Sequence, residues 1–225
     1  MSNLATRVTV HSVAPLAACA VVLCLSAGTL RFWQAWAYLA THLATMTATN
    51  VYFLRASPAT LERRLAVFEK RERDAGQRRI IRLVALSTVS MLVVAGADHR
   101  IGWSSVAPAV LAAAYLGVAS GILVIFLVMR ENAYASAVVE VGMGQCVVDS
   151  GPYRVIRHPM YAGYLLIAAA SPLALGSYWA ELTFMPFAAL FTARLLAEER
   201  FLAARLPGYS EYMARTAHRL IPGVF

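Results

Sequence analysis

Residues 106–129, VAPAVLAAAYLGVASGILVIFLVM, contain no charged side chain. About 20 apolar residues are what an α-helix needs to cross a hydrocarbon core about 30 Å thick, where no water satisfies an unpaired backbone. Three more windows of this kind precede it, at 13–30, 36–54 and 80–97. Two shorter apolar runs follow at 161–175 and 179–197, divided by Gly176, Ser177 and Tyr178, a turn sequence. The expectation is an all-α, polytopic integral membrane protein of about six helices, ending in a C-terminal helical hairpin that need not fully span. Composition agrees: 60% of residues are hydrophobic and 14% charged, where soluble domains carry about 25% charged residues.

The first run has Arg7 ahead of it and Ser26, Ala27 and Gly28 behind it, as a cleaved leader would. Its length, and the span that follows at once, favour a retained helix. Cys19, Cys24 and Cys146 form no CxxC pair, so neither a disulfide framework nor a metal site is indicated. The net charge of +8 is not evenly spread. Arg55, Arg63, Arg64, Lys70, Arg71, Arg73, Arg78, Arg79 and Arg82 crowd one loop, 55–82, while the loops on either side carry only Arg31 and Arg100. By the positive-inside rule that loop is cytoplasmic, which also puts both termini and residues 130–159 on the cytoplasmic side. These cations suit anionic lipid headgroups; no nucleic-acid-binding pattern accompanies them. Glu69 to Asp74, EKRERD, has opposite charges at helical spacing and reads as a solvated amphipathic stretch.

Against this apolar background, residues 151–166, GPYRVIRHPMYAGYLL, are unusually polar. Pro159 suits the first turn of a helix, where its missing N–H costs nothing. Arg157 and His158 then lie just outside that turn and Tyr161 within it, an arrangement able to hold an anion. The same residues also suit lipid headgroup contacts with interfacial tyrosines. At the other end of the hairpin, Arg194 and Glu198 stand four apart on one helical face, spacing that by itself favours a simple salt bridge with a snorkelling arginine. Read together, the hairpin should bring Arg157, His158 and Tyr161 up to Arg194, Glu198 and Glu199. Nucleotide-binding P-loop, GxGxxG, HExxH and GxSxG patterns are absent from the sequence.

The order Gly-x-Tyr at 151–153, R-H-P-x-Y at 157–161, E-E at 198–199 after a hydrophobic hairpin, and the tail GYSEYMARTAHRLIPGVF resembles the isoprenylcysteine carboxyl methyltransferase family of integral membrane enzymes. Bacterial chains of that kind look like this one over most of its length, including ENAYASAVVE at 131–140, and imply the inner membrane as its location. The more distant phospholipid methyltransferases share the E-E feature. The resemblance implies S-adenosylmethionine-dependent methyl transfer at a cytoplasmic-facing pocket, with residues 1–129 as N-terminal helices and 130–225 as the catalytic region. Carried over by position, the cofactor residues fall on Gln145, Cys146, Val147, Val148, Tyr153, His158, Pro159, Met160, Tyr161 and Glu198. Arg194 falls on the position thought to hold an acceptor carboxylate; Arg157 and Glu199 complete the candidate catalytic set. Val138 stands where the eukaryotic enzymes carry a cofactor-contacting glutamine, a departure from the pattern.

An acceptor carboxylate needs no general base, being ionised at neutral pH; an amine or thiol acceptor calls for Glu199 or His158. The expected partners are therefore a lipophilic or lipid-attached acceptor and membrane lipids, with no nucleic acid and no metal. Phospholipid amine or small-thiol methylation stays open beside carboxyl methylation. A non-catalytic binding or transport protein is the alternative of another class, and the near absence of charge in the first four apolar windows counts against a transport path.

Overall fold

The computed structural model describes residues 2–69, 74–132 and 145–225. Lys70, Arg71 and Arg73 of the basic loop, and Val138 with most of the ENAYASAVVE phrase, lie outside the described residues. The elements are helices α1 (Ser2–Ala27), α2 (Trp33–Ala56), α3 (Pro58–Glu69), α4 (Ala75–Ile101), α5 (Pro108–Glu131), α6 (Pro159–Ala174), α7 (Phe184–Arg205) and α8 (Tyr209–Arg215), with short 3-10 turns at Gly151–Arg154 and Trp179–Thr183. Among the described residues there is no strand.

Local chemistry sets the helix ends. Asp74 caps α4 by accepting from the Gln77 backbone N–H at 2.7 Å, and Gly102 ends it in the left-handed conformation at φ 75°. Pro108 and Pro159 open α5 and α6 in the first turn. The basic segment is thus not one loop: it contributes α3 and the opening turns of α4, which carry Arg78, Arg79 and Arg82.

Among the described residues, four stretches are long and apolar enough to cross a membrane: Asn3–Ala27, Ala75–Ile101, Pro108–Glu131 and Trp179–Arg205. Two expectations change. The window at 36–54 does not qualify, because Thr41, His42, Thr45, Thr47, Thr49 and Asn50 dilute it. The second arm of the hairpin does qualify, since the turn at Trp179–Thr183 runs directly into α7. The first arm, α6, has 16 residues, about 24 Å at 1.5 Å per residue. Val21, Leu25, Leu86, Leu116, Leu123 and Met185 are exposed on the outer faces of these helices, as lipid-facing positions require.

Helix α6 lies tight against α5 because glycines meet there. A Cβ on Gly121 would sit 2.7 Å from the Gly163 carbonyl oxygen, and one on Gly163 would sit 2.9 Å from that of Gly121. No larger residue fits either position without separating the helices. At the end of the bundle away from the polar cassette, Leu23, Phe32, Ala95, Val118 and Leu175 form the main core. The chain's four tryptophans, Trp33, Trp36, Trp103 and Trp179, are exposed around this end, an interfacial belt.

Asp98 ties this end together. It is 2% exposed and accepts from the Ser104 N–H at 2.8 Å, the Ser104 hydroxyl at 2.6 Å and the Ser177 hydroxyl. The α4–α5 turn and the hairpin turn are thereby fixed to one carboxylate. Asp98→Ala strands these donors, and a loss of about 3 kcal/mol is expected in unfolding from detergent micelles. Asp98→Asn, which keeps part of the acceptor set, should lose less.

Candidate active site

At the opposite end, α3 is folded down over the bundle. Leu61 and Leu65, one turn apart, bury against Phe53, Met129 and Val8, with Met160 packed alongside. Arg64, on the adjoining face of α3, is carried to Tyr164 of α6 and the neighbourhood of Tyr153. Burial pushes the Arg64 guanidinium below its ordinary range, and its hydrogen bond to Tyr164 works against that shift.

The two adjacent glutamates face different partners. Glu199, 4% exposed, receives Arg157 Nε on Oε2 at 2.9 Å, and His158 Nε2 lies 3.2 Å from the same oxygen. Arg219 engages the other oxygen through Nε, also at 2.9 Å. Arg157 further donates through Nη1 to the carbonyls of Thr216 at 2.7 Å and Ala217 at 2.8 Å. The backbone N–H groups of Arg157 and His158 donate to the carbonyls of His218 and Arg219 at 2.9 and 3.0 Å. The result is a buried ionic clasp that fastens the C-terminal segment and α7 to the start of α6.

Glu198, one position earlier and about 100° around the helix, turns instead to Tyr161, whose hydroxyl donates to Oε2 at 2.5 Å. Glu198 Oε1 has no hydrogen-bond partner among the described residues. Arg194, buried one turn before, donates to Gln77 Oε1 of α4 at 3.0 Å and also reaches the Tyr161 hydroxyl. The expected Arg194–Glu198 proximity is therefore mediated by Tyr161.

Tyr153 forms another wall. Its hydroxyl accepts from Asn132 Nδ2 at 3.0 Å, and its carbonyl accepts from the Tyr212 hydroxyl at 2.8 Å. Burial, with the nearby Glu198 charge adding to it, pushes the Tyr153 phenol up to about 12, so it stays a neutral hydroxyl. Ahead of it, residues 145–149 are in neither helix nor turn; Val147 packs on Leu206, Tyr209 and Tyr212, Gln145 and Val148 are half-buried, and Cys146 is exposed. Pro159 is buried at the head of α6, and Met160 packs against the cluster that includes Leu61 and Leu65 of α3.

Beside Tyr161 a cavity of about 290 Å³ opens between α4, α6 and α7, lined almost wholly by apolar groups including Met91, Ile167, Phe184, Phe187 and Phe191. Phe191 joins cavity to carboxylate: its ring lies 5.1 Å from that of Tyr161 and 5.8 Å from that of Tyr164, centre to centre. Among the described residues no group of three or more His, Cys, Asp or Glu is arranged to hold a metal ion.

The structure thus brings Tyr153, His158, Tyr161, Arg194, Glu198 and Glu199 to one end of the bundle. Sequence reasoning missed Arg64, Gln77, Asn132 and Tyr209. Leu61 and Leu65 flanking Arg64 were the signal for the first, since an i, i+4 leucine pair marks α3 as a packed helix rather than a loop.

The chain is similar to the cobalt-zinc-cadmium resistance protein CzcN of Cupriavidus metallidurans, 30% identical over an alignment of 137 residues that covers 52% of this chain and 62% of that protein. The chain thus matches less than two thirds of that relative's length. Residues 109–207, from the start of α5 to just beyond α7 and so including the cassette and both glutamates, match the family model described as phospholipid methyltransferase.

Proposed function

We propose that this chain is an S-adenosylmethionine-dependent methyltransferase of the membrane that modifies a lipophilic acceptor. The observation that carries this reading is Glu198: one oxygen is fixed by Tyr161, the other is open, and an apolar cavity begins one ring away at Phe191. The match of residues 109–207 to a methyltransferase family supports it. The donor set fits the cofactor, because a carboxylate with an open oxygen suits ribose hydroxyls or an ammonium group, and the neutral Tyr153 hydroxyl lies nearby.

When bound, S-adenosylmethionine supplies an electrophilic methyl group on a sulfonium. The chain's own residues bind, orient and exclude water. Tyr161 holds Glu198 in one rotamer and touches Arg194, so donor and acceptor groups are set relative to each other by one phenol. Arg194 is itself aimed by Gln77 and is placed to orient an acceptor anion; burial strengthens that interaction by removing competing water. The apolar cavity takes the acceptor's hydrocarbon. Arg157 and Glu199 act as positioning residues through the clasp, and His158 shares that duty.

A carboxylate acceptor, as in isoprenylcysteine methylation, agrees best with Arg194. The family description also brings a phospholipid amine into view. Such an acceptor needs a base, and Glu199 suits that poorly, since guanidinium or imidazole groups engage both of its oxygens. On this reading residues 130–225 carry most of the chemistry, joined by Arg64 and Gln77 from the N-terminal part, and the site opens to the cytoplasm.

The test is methyl transfer. Membranes containing the chain, given donor with a labelled methyl, should label a lipid-extractable molecule, and Arg194→Ala should cut the rate about 30-fold or more while donor affinity changes little. Absence of any label in lipid or protein would sink the reading; equal loss of binding and turnover would move Arg194 to a structural role.

A further inference from the structure

Tyr209 opens α8 immediately after Gly208, whose left-handed backbone at φ 82° turns the chain back from α7. The turn drives the Tyr209 side chain into the molecule, where it is 5% exposed and packs with Leu206, Tyr212, Val147 and Tyr153. Its hydroxyl is buried and has no hydrogen-bond partner among the described residues. Its neighbour Tyr212 behaves in the ordinary way, donating to the Tyr153 carbonyl at 2.8 Å. An unpaired buried hydroxyl forfeits its hydration for nothing, so folding alone gives no reason for it.

The surroundings say what it faces. Tyr209 lies close enough to Glu198 and Glu199 to feel both charges, and bonds to neither. Burial and these two carboxylates push its pKa well above the ordinary phenol value, so the group stays a neutral hydroxyl able to donate. The cluster that holds its ring also takes in Val147, from the segment ahead of Tyr153. Tyr209 therefore shares a cluster with that segment and lies within electrostatic reach of Glu198 and Glu199.

We infer that the Tyr209 hydroxyl is a ligand-binding group of the donor site, donating a hydrogen bond to an oxygen of the bound nucleoside cofactor. The inference rests on the methyltransferase reading above and adds a residue to it. A ribose hydroxyl and an amino-acid carboxylate both present such an oxygen, and two nucleosides separate them. S-adenosylhomocysteine carries both groups; methylthioadenosine carries the ribose and lacks the carboxylate.

The experiment uses the full chain in detergent, with calorimetry for both nucleosides and thermal unfolding without ligand. Tyr209→Phe should unfold at the wild-type temperature or above it, because it removes an unsatisfied group, and should bind S-adenosylhomocysteine about tenfold more weakly. Methylthioadenosine is weakened equally if the partner is the ribose and unaffected if it is the carboxylate. Tyr212→Phe serves as the contrast: it breaks an existing bond and should lower the unfolding temperature. Wild-type affinity in Tyr209→Phe, or unfolding below wild type, overturns the inference while leaving the methyltransferase reading intact. Failure of the wild-type chain to bind either nucleoside overturns that reading itself.

Discussion

Glu198→Ala should leave a folded protein that binds S-adenosylmethionine about a hundredfold more weakly, read by calorimetry on the purified chain. The magnitude follows from what the carboxylate does. Its open oxygen offers charge-assisted hydrogen bonds, each contributing about 1.5–3 kcal/mol. Removing it also unfastens Tyr161, whose 2.5 Å bond to Oε2 sets the position of that ring against Phe191. Folding should survive because Glu198 is only half-buried and lies outside the clasp. Unchanged donor affinity in the variant would remove Glu198 from the cofactor site and with it the main support for the proposed chemistry.

Glu199→Ala, one residue on, should do the reverse. Arg157 is 6% and His158 5% exposed, and with Arg219 they converge on the two oxygens of this side chain. Without it, the buried Arg157 guanidinium is left without its counter-charge, a situation that costs about 3–5 kcal/mol. The expected result is a protein recovered poorly from membranes and unfolding well below wild type, with donor binding lost only as a consequence. A well-folded Glu199→Ala variant whose sole defect is turnover would instead make Glu199 a participant in the chemistry. Glu199→Gln, which keeps two polar atoms in place without the charge, should fall between wild type and alanine in stability.

The contrast between these neighbours marks where reading the sequence runs out. The hairpin was legible, since apolar runs, the Gly176 turn and Pro159 at a helix start are each local signals with local causes. That the hairpin's ends meet followed from chain connectivity. Which glutamate meets which cation did not follow, because adjacent helix positions point about 100° apart and the deciding partner, Arg219, comes from the C-terminal segment. Gln77 was hidden in a stretch whose arginines read simply as charge; only the long reach of α4 toward the cassette places it against Arg194. Arg64 was hidden for the same reason, its helix being taken for loop. Polar residues in α2 were legible one by one, yet the window looked apolar enough to span until their sum was weighed.

The brevity of α6 has a consequence for how the molecule sits in lipid. Its far end is pinned through Ser177 and Asp98 near the tryptophan belt, and its 16 residues fall about 6 Å short of a typical hydrocarbon thickness. A bilayer of that thickness is expected to thin around α6, which would bring the clasp and the glutamates beside it below the surrounding headgroups. Such thinning would bring lipid down to the cleft, so that an amphiphilic acceptor could present its polar end without being lifted out of the bilayer.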